Sequence, residues 1–502
     1  MKKIIFTLAG TCLLCGSVFA ESKMVLIKGG TFLMGSPASE RMRNVDEAQH
    51  SVTVDDFYCD AFEVRQSDYE KVMGENPSYN RGANLPVENV SFYDALEYCN
   101  RKSLSEGLSA VYKIGGKNEK SSISFPDVSV DLVADGYRLL TEAEWEYACR
   151  AGTTTIFSTG NWNNPKDANY EGSYPYLIEE NYVRRTNPNV QPGLNRGKTI
   201  AVDSLAPNEF GLYNMHGNVS EWVFDYYGDY GDSVSAGSFG GKNDPGLGGK
   251  SVLNPLGAET GVYRVNRGGG FNDFGKHLRS AYRSASNPLT KDRNLGFRIA
   301  RNAGKRNVVS AGGKSTAINN GVFETKYDEK VASISLPKNP RVLVAYFSYS
   351  GNTESAAEYI SKSLKSKYGD EKIDLVELEM QNPYRGGIYD VSQRDLMSGT
   401  RPPLKTKIGA AKMAEYDVVL LGYPTWWATL PMPIYTFLES YDFSGKTVVS
   451  FSSHGGTMYG DSVSDLSKHL QQSYVGLPFE FFYSGGRDLN ARIDGWLKSS
   501  GL

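Results

Sequence analysis

Apolar residues are arranged in two different ways along this chain. From about residue 340 onward, short continuous apolar runs alternate with helical periods. Val342-Leu343-Val344-Ala345-Tyr346 is unbroken, the pattern of a strand covered on both faces. Ala356, Ala357, Ile360 and Leu364 then recur at helical spacing. Ile373 to Leu378, Val418 to Leu421, Val448 to Phe451 and Phe479 to Tyr483 read as further strands, with amphipathic stretches between most of them. Leu489, Ile493, Trp496 and Leu497 mark a closing helix. Five strands with helical crossovers in about 160 residues predict an α/β module built on a five-stranded, doubly wound parallel sheet. In such a sheet, ligands bind beyond the carboxyl ends of the strands.

Residues 24 to 301 show short segments, frequent turns and few long apolar periods, which predicts a low-regularity α+β domain with long loops. Its clearest helix begins at Thr141, with Glu144 three residues on as a capping box and acid in the first turn. Phe92 to Cys99 predicts a second helix. Between 302 and 339 the chain turns polar and glycine-rich without a sustained apolar period, so this stretch reads as a linker with one short strand at Val331 to Leu336.

The first twenty residues depart from both patterns. Lys2 and Lys3 precede a largely apolar run from Ile4 to Val18, and Val18-Phe19-Ala20 sets a small residue before a cut ahead of Glu21. The run is too short and wrongly flanked to span a membrane. Without a twin arginine, export is expected to proceed on the unfolded chain. The residues before Cys12 and Cys15 fit a lipoprotein cleavage site poorly, so a periplasmic or secreted product with no membrane span is expected.

Composition adds bounds. At 502 residues, two or more domains are expected, and a 40% hydrophobic, 22% charged chain is globular. A net charge of −3 leaves no electrostatic footprint for nucleic acid. After cleavage, Cys59, Cys99 and Cys149 remain, too sparse for a disulfide framework but leaving room for one bridge. The five histidines show no paired metal spacing, which argues against zinc.

Candidate chemistry lies in three loops of the second module. Ser348-Tyr349-Ser350-Gly351-Asn352-Thr353 follows the first strand and opens into a helix. Its hydroxyls and amides, with the positive end of the helix, suit a phosphate. No Gly-Lys-Ser/Thr follows, so this is not a Walker loop and a nucleoside triphosphate is not expected. Beyond the third strand stand Pro424, Thr425, Trp426 and Trp427. Two tryptophans in a loop either bury in the core or stack on a flat ligand. Beyond the fourth come His454, Gly455, Gly456 and Tyr459, with glycines that let backbone approach a ring edge and a tyrosine that offers a second stacking face.

The stretch from about Arg341 to Leu502 resembles the flavodoxin family, in its Ser-x-Ser-Gly-Asn-Thr loop and its Pro-Thr-Trp-Trp loop. The resemblance implies FMN, with its phosphate on Ser348, Ser350, Gly351, Asn352 and Thr353 and its isoalloxazine between the later loops, at Trp426 or Trp427 and Tyr459. It also implies electron transfer with a redox partner protein whose identity the sequence does not give. No residue in these loops looks set as acid, base or nucleophile; for His454 a hydrogen-bonding role is expected.

Residues 24 to 301 resemble the formylglycine-generating enzyme (sulfatase-modifying factor) family. The resemblance rests on Met24 to Ser36, Tyr137 to Tyr147, Asn208 to Trp222, Arg267-Gly268-Gly269-Gly270 and Asn294 to Arg298, all in order. It implies a C-type-lectin-like α+β fold. The family's oxidase binds copper through two cysteine thiolates, yet alignment on the Gly-Gly motif puts Asp273 and Leu278 at those positions and Gly270 where the oxidase has a serine. Neither Asp nor Leu holds copper(I) as thiolates do, so the domain is expected to be non-catalytic. The resemblance further implies calcium on Asn214, Gly217, Val219 and Glu221, with backbone carbonyls from the middle two. A hydrogen-bonded turn with Glu221 salt-bridged is the alternative reading. A second family calcium site at Asn169 and Tyr170 stays open, because its remaining loop departs at Gly193 to Lys198. The leading expectation is an exported FMN-binding electron carrier with a recognition domain. The alternatives are an enzyme acting through the first domain and a flavin-free scaffold.

Overall fold

A computed structural model describes residues 23–115, 126–178, 192–230, 235–237, 251–304, 318–319, 321–328, 331, 334–384, 388–455 and 459–502. The targeting segment expected at residues 1–20 lies outside the described residues. Among the described residues, no helix is long and apolar enough to cross a membrane.

The first module is several small sheets stitched around buried charge. One sheet sets Met24–Ile27 and Ile299–Asn302 on either side of Phe57–Asp60, so the two ends of the module close on each other. A second sheet orders Ser284–Ser286, Arg264–Arg267, Ser220–Tyr226 and Leu295–Phe297. The Thr141 and Glu144 capping box forms on helix Glu142–Arg150, and Ser91 with Asp94 caps helix Phe92–Ser105 in the same way. Arginine–glutamate pairs fill much of the interior: Arg298 with Glu221 at 2.8 Å, Arg283 with Glu142 at 2.6 Å and Arg138 with Glu144 at 2.7 Å, all at most 4% exposed. Such pairs are invisible to apolar periodicity, which is why the sequence pattern looks irregular here. Cys59, Cys99 and Cys149 are all free and buried. Burial pushes the Cys149 thiol up to about 12, leaving it inert.

The segment expected as a linker is partly built into the first module. Val322–Tyr327 pairs antiparallel with Val128–Asp131, and Phe323 and Thr325 are buried. A strand therefore falls at 322–327, whereas the described residues of the expected one, 331 and 334–336, are not in a strand, and Val331 and Ile334 instead pack into the core of the second module.

The second module follows its predicted pattern. Its elements are β1 (Val342–Tyr346), α1 (Asn352–Tyr368), β2 (Ile373–Glu377), α2 (Ile388–Ser398), β3 (Val418–Pro424), α3 (Met432–Ser440), β4 (Thr447–His454), α4 (Ser462–His469), β5 (Phe479–Phe482) and α5 (Leu489–Ser499). Every described strand pairing in this sheet is parallel, in the order 2-1-3-4-5, and Tyr474–Val475 adds a short extra strand beside β4. This is the doubly wound order whose ligand site lies at the β1/β3 switch point. Val342 and Val344 pack under α1 and α5, while Leu343 and Ala345 face the opposite layer, as a continuous apolar strand requires. That opposite layer also takes in Val262, Tyr263 and Ala285 of the first module, so the two modules share one core.

Candidate functional site

The three predicted loops stand at the carboxyl ends of the adjacent strands β1, β3 and β4. Gly351, with φ +83°, turns the chain into α1. Its amide donates to Ser348 Oγ at 3.2 Å, and Asn352 donates to Ser350 Oγ at the same distance. Buried Thr353 meets Ser453 at the end of β4, Oγ to Oγ 2.9 Å. Tyr349 and Ser350 are exposed at the loop tip. The first amides of α1 lack intrahelical partners by geometry, so a dianion would meet several donors at once.

The second loop is strained into place. Trp427 and Ala428 sit at φ +54° and +56°, a region costly to side chains with a Cβ. Trp426 is half-buried among Phe347, Tyr349 and Tyr384, with centroids 5.4, 6.0 and 6.1 Å away. Trp427 donates from Nε1 to Ser392 Oγ at 3.1 Å and meets Tyr389 and Tyr174 edge-on. Between Pro424 and Trp426, Thr425 has a buried Oγ1 with no hydrogen-bond partner.

The third loop departs from expectation at its far end. His454 is buried and bonds Glu480 through Nε2, and that bond holds the Glu480 carboxyl low against the upward pull of burial. Gly455 is exposed, and Gly456 lies outside the described residues. Tyr459 does not point its hydroxyl toward the other two loops: it donates to Asp292 Oδ2 of the first module at 2.7 Å.

In the first module, Asn214, Gly217 and Asn218 all have positive φ, so the loop expected for calcium is a tight turn. Asn214 fits a ligand role, because its Oδ1 is buried and unpartnered while its Nδ2 donates to Glu63. Burial pushes the Glu63 carboxyl up to about 8. Gly217 and Val219 occupy the turn as expected, but Glu221 does not join them as a ligand. Both its oxygens accept from Arg298, and Trp145 Nε1 donates to Oε2 at 2.8 Å. With that charge neutralised by an arginine, the four residues do not fit calcium as a set; they match a hydrogen-bonded turn with Glu221 salt-bridged.

A family model described as the sulfatase-modifying factor enzyme 1-like domain matches residues 17–303, more than half of the 502 residues. This chain belongs to that family. A flavodoxin model matches residues 341–493. Chaperone protein LppX of Paenibacillus barcinonensis is 34% identical over 228 residues, 43% of this chain and 76% of that protein. The formylglycine-generating enzyme of Mus musculus is 31% identical over 310 residues, 56% of this chain and 75% of its own. Among solved structures, a putative flavoprotein from Bacteroides eggerthii is 30% identical, covering 33% of this chain and 99% of that one, with a TM-score of 0.29.

The sulfatase-modifying-factor module turns its glycine-rich loop toward the flavodoxin module. Gly269, Asp273, Thr290 and Asn294 line a cavity of about 80 Å³ whose other wall is Tyr459, Gly460 and Asp461. Asp461 accepts from Tyr282 Oη and from His277 Nε2, each at 2.5 Å. Burial and the charge of Asp461 push the Asp273 carboxyl up to about 6. The sequence offered no signal for this cluster, because its members come from separate modules that local spacing cannot relate. Leu278, the other position aligned with a family cysteine, is fully buried and apolar.

Proposed function

We propose that this protein binds FMN in its flavodoxin module and acts as an exported electron carrier, with the sulfatase-modifying-factor module covering one side of the flavin loops. The observation that carries the reading is Thr425. A buried hydroxyl without a partner costs about 1–3 kcal/mol, and this one lies beside two strained residues at the switch point of the sheet. A ligand that meets it would offset both costs.

When bound, FMN supplies one-electron and two-electron chemistry. The residues of the chain do the holding. Ser348, Ser350, Gly351, Asn352 and Thr353 present hydroxyls and amides to the phosphate, and Trp426 and Trp427 flank the ring. Aromatic packing around Trp426 fixes the loop before the ligand arrives, which lowers the entropic cost of binding. No thiol stands at Asp273 or Leu278 to support cysteine oxidation, so the first module is assigned a covering and recognition role. Residues 1–20 would direct the chain out of the cytoplasm.

The test is a titration of the purified full-length protein with FMN, followed by flavin fluorescence and the visible spectrum. Saturable quenching with a shifted spectrum is expected, and Thr425→Ala and Trp426→Ala should each weaken binding about tenfold, near 1.4 kcal/mol. Absence of binding at excess FMN would sink the reading.

A further inference from the structure

We infer that Asp273, His277 and Asp461 together hold a divalent transition-metal ion at the junction of the two modules. One ligand atom from each lies within 4.8 Å of the other two, close enough to meet around a single ion after small side-chain shifts. One imidazole and two carboxylates make a donor set suited to a borderline ion such as Zn2+ and poor for copper(I). Asp273 and His277 come from the glycine-rich loop and following turn of the first module, and Asp461 begins α4 of the second. The site exists only when the modules are docked.

The surroundings are those of a built site. Thr290 Oγ1, on a residue 8% exposed, has no partner and lines the same cavity as Asp273 and Asp461. Asn266, Asn272 and Asn294 contribute polar side chains to the cavity wall, and its 80 Å³ admits a hydrated ion with a few waters but not a peptide. Asp273 Oδ2 is steadied by the Gly270 amide at 2.7 Å and Asn294 Nδ2 at 2.9 Å, the outer hydrogen bonding that orients metal-binding carboxylates.

The protons balance. In the structure, the Phe274 amide donates to His277 Nδ1, so Nε2 carries the ring proton and points it at Asp461. An ion takes the place of that proton between Nε2 and Asp461. The neutral ring then carries its proton on Nδ1, at the loss of the long 3.3 Å contact from Phe274. Histidine spacing alone gave no zinc site, because only one ligand is a histidine.

The experiment uses the full-length protein, stripped with chelator and free of flavin, so that it stands or fails apart from FMN binding. Calorimetric titration with Zn2+ should give one ion per chain, and Asp273→Asn and Asp461→Asn should each weaken it at least tenfold. Co2+ added to the unaltered chain should produce visible ligand-field bands, which keeps the test decisive if a variant fails to fold. A zinc-free chain, a featureless cobalt spectrum, binding unchanged in both variants, or displacement of zinc by equimolar Ca2+ would each overturn the site.

Discussion

Asp225 is a carboxyl that the fold keeps from ionising. It is 3% exposed, and its Oδ2 accepts the Glu142 amide at 2.8 Å. Burial and then the Glu142 charge push it up to about 8, against about 3.9 in an unfolded chain. A folded value above the unfolded one means that its contribution is fully present below about pH 4 and is lost as pH rises toward 8. Glu63 and Glu88, raised to about 8 and about 7 mainly by burial, act in the same direction. Asp46 acts the other way, since Lys468 and Arg283 outweigh its burial and hold it at about 2, but it titrates well below this window. His216, which burial lowers to about 4, offsets part of this change up to about pH 6.5, so the melting temperature should fall from about pH 6.5 to pH 8. Asp225→Asn, which keeps an oxygen for the Glu142 amide, should flatten that fall by an amount worth a few kcal/mol at most. Thermal melts of both proteins across the window check this, and equal slopes would remove Asp225 from the explanation.

Between elements, the second and third strand-end loops depend on a contact that permits no side chain. Gly460 has φ +48°, and a Cβ there would come within 2.4 Å of the Ala428 carbonyl. The same carbonyl accepts the Asp461 amide at 2.7 Å, so the second and third loops are clamped together at this point. Gly460→Ala must push them apart, and FMN affinity should drop tenfold or more while far-UV circular dichroism is retained. Gly445→Ala is the control: it has the same left-handed strain, at φ +76°, but open space around it, so it should cost about 1 kcal/mol of stability and leave flavin affinity unchanged. Affinity unchanged in Gly460→Ala would show that loop spacing does not govern binding. The parallel sheet was legible in the sequence because β1 and β3, buried on both faces, write continuous apolar runs, and β4 keeps Val448, Val449 and Phe451 at its centre. The Thr141 cap was legible because its chemistry is local. Strand Val322–Tyr327 was not, since it earns its place by pairing with distant Val128–Asp131 and alternates with exposed Glu324 and Lys326. The direction of Tyr459 was also hidden, because its partner Asp292 belongs to the other module.

At the scale of the whole molecule, the sequence suggested two bodies on a tether, but the contacts across the join bind them as one. Tyr263 is fully buried against the second module and donates to the Ser473 carbonyl at 3.0 Å, and Asn287 donates to the Val475 carbonyl at 3.0 Å. Lys468 of α4 reaches back to the Arg283 carbonyl at 2.7 Å and to Asp46 at 3.2 Å. Ser464 Oγ accepts the Ala285 amide at 2.9 Å. An interface with an apolar centre and several hydrogen bonds at its edge does not need the covalent connection to persist. A protease site introduced between Asp328 and Val331, after the last strand paired into the first module, should therefore yield two fragments on a denaturing gel that still elute together at native mass. Heating the cut protein should give one unfolding transition, lower than that of the intact chain because the fragments gain freedom on parting. Tyr263→Ala, which removes both the buried ring and its hydrogen bond, should let the cut halves separate. Separate elution of the unaltered fragments would mean that the contacts at Tyr459 and Asp461 form only under tether, and the covering of the flavin loops by the first module would then be transient instead of built in.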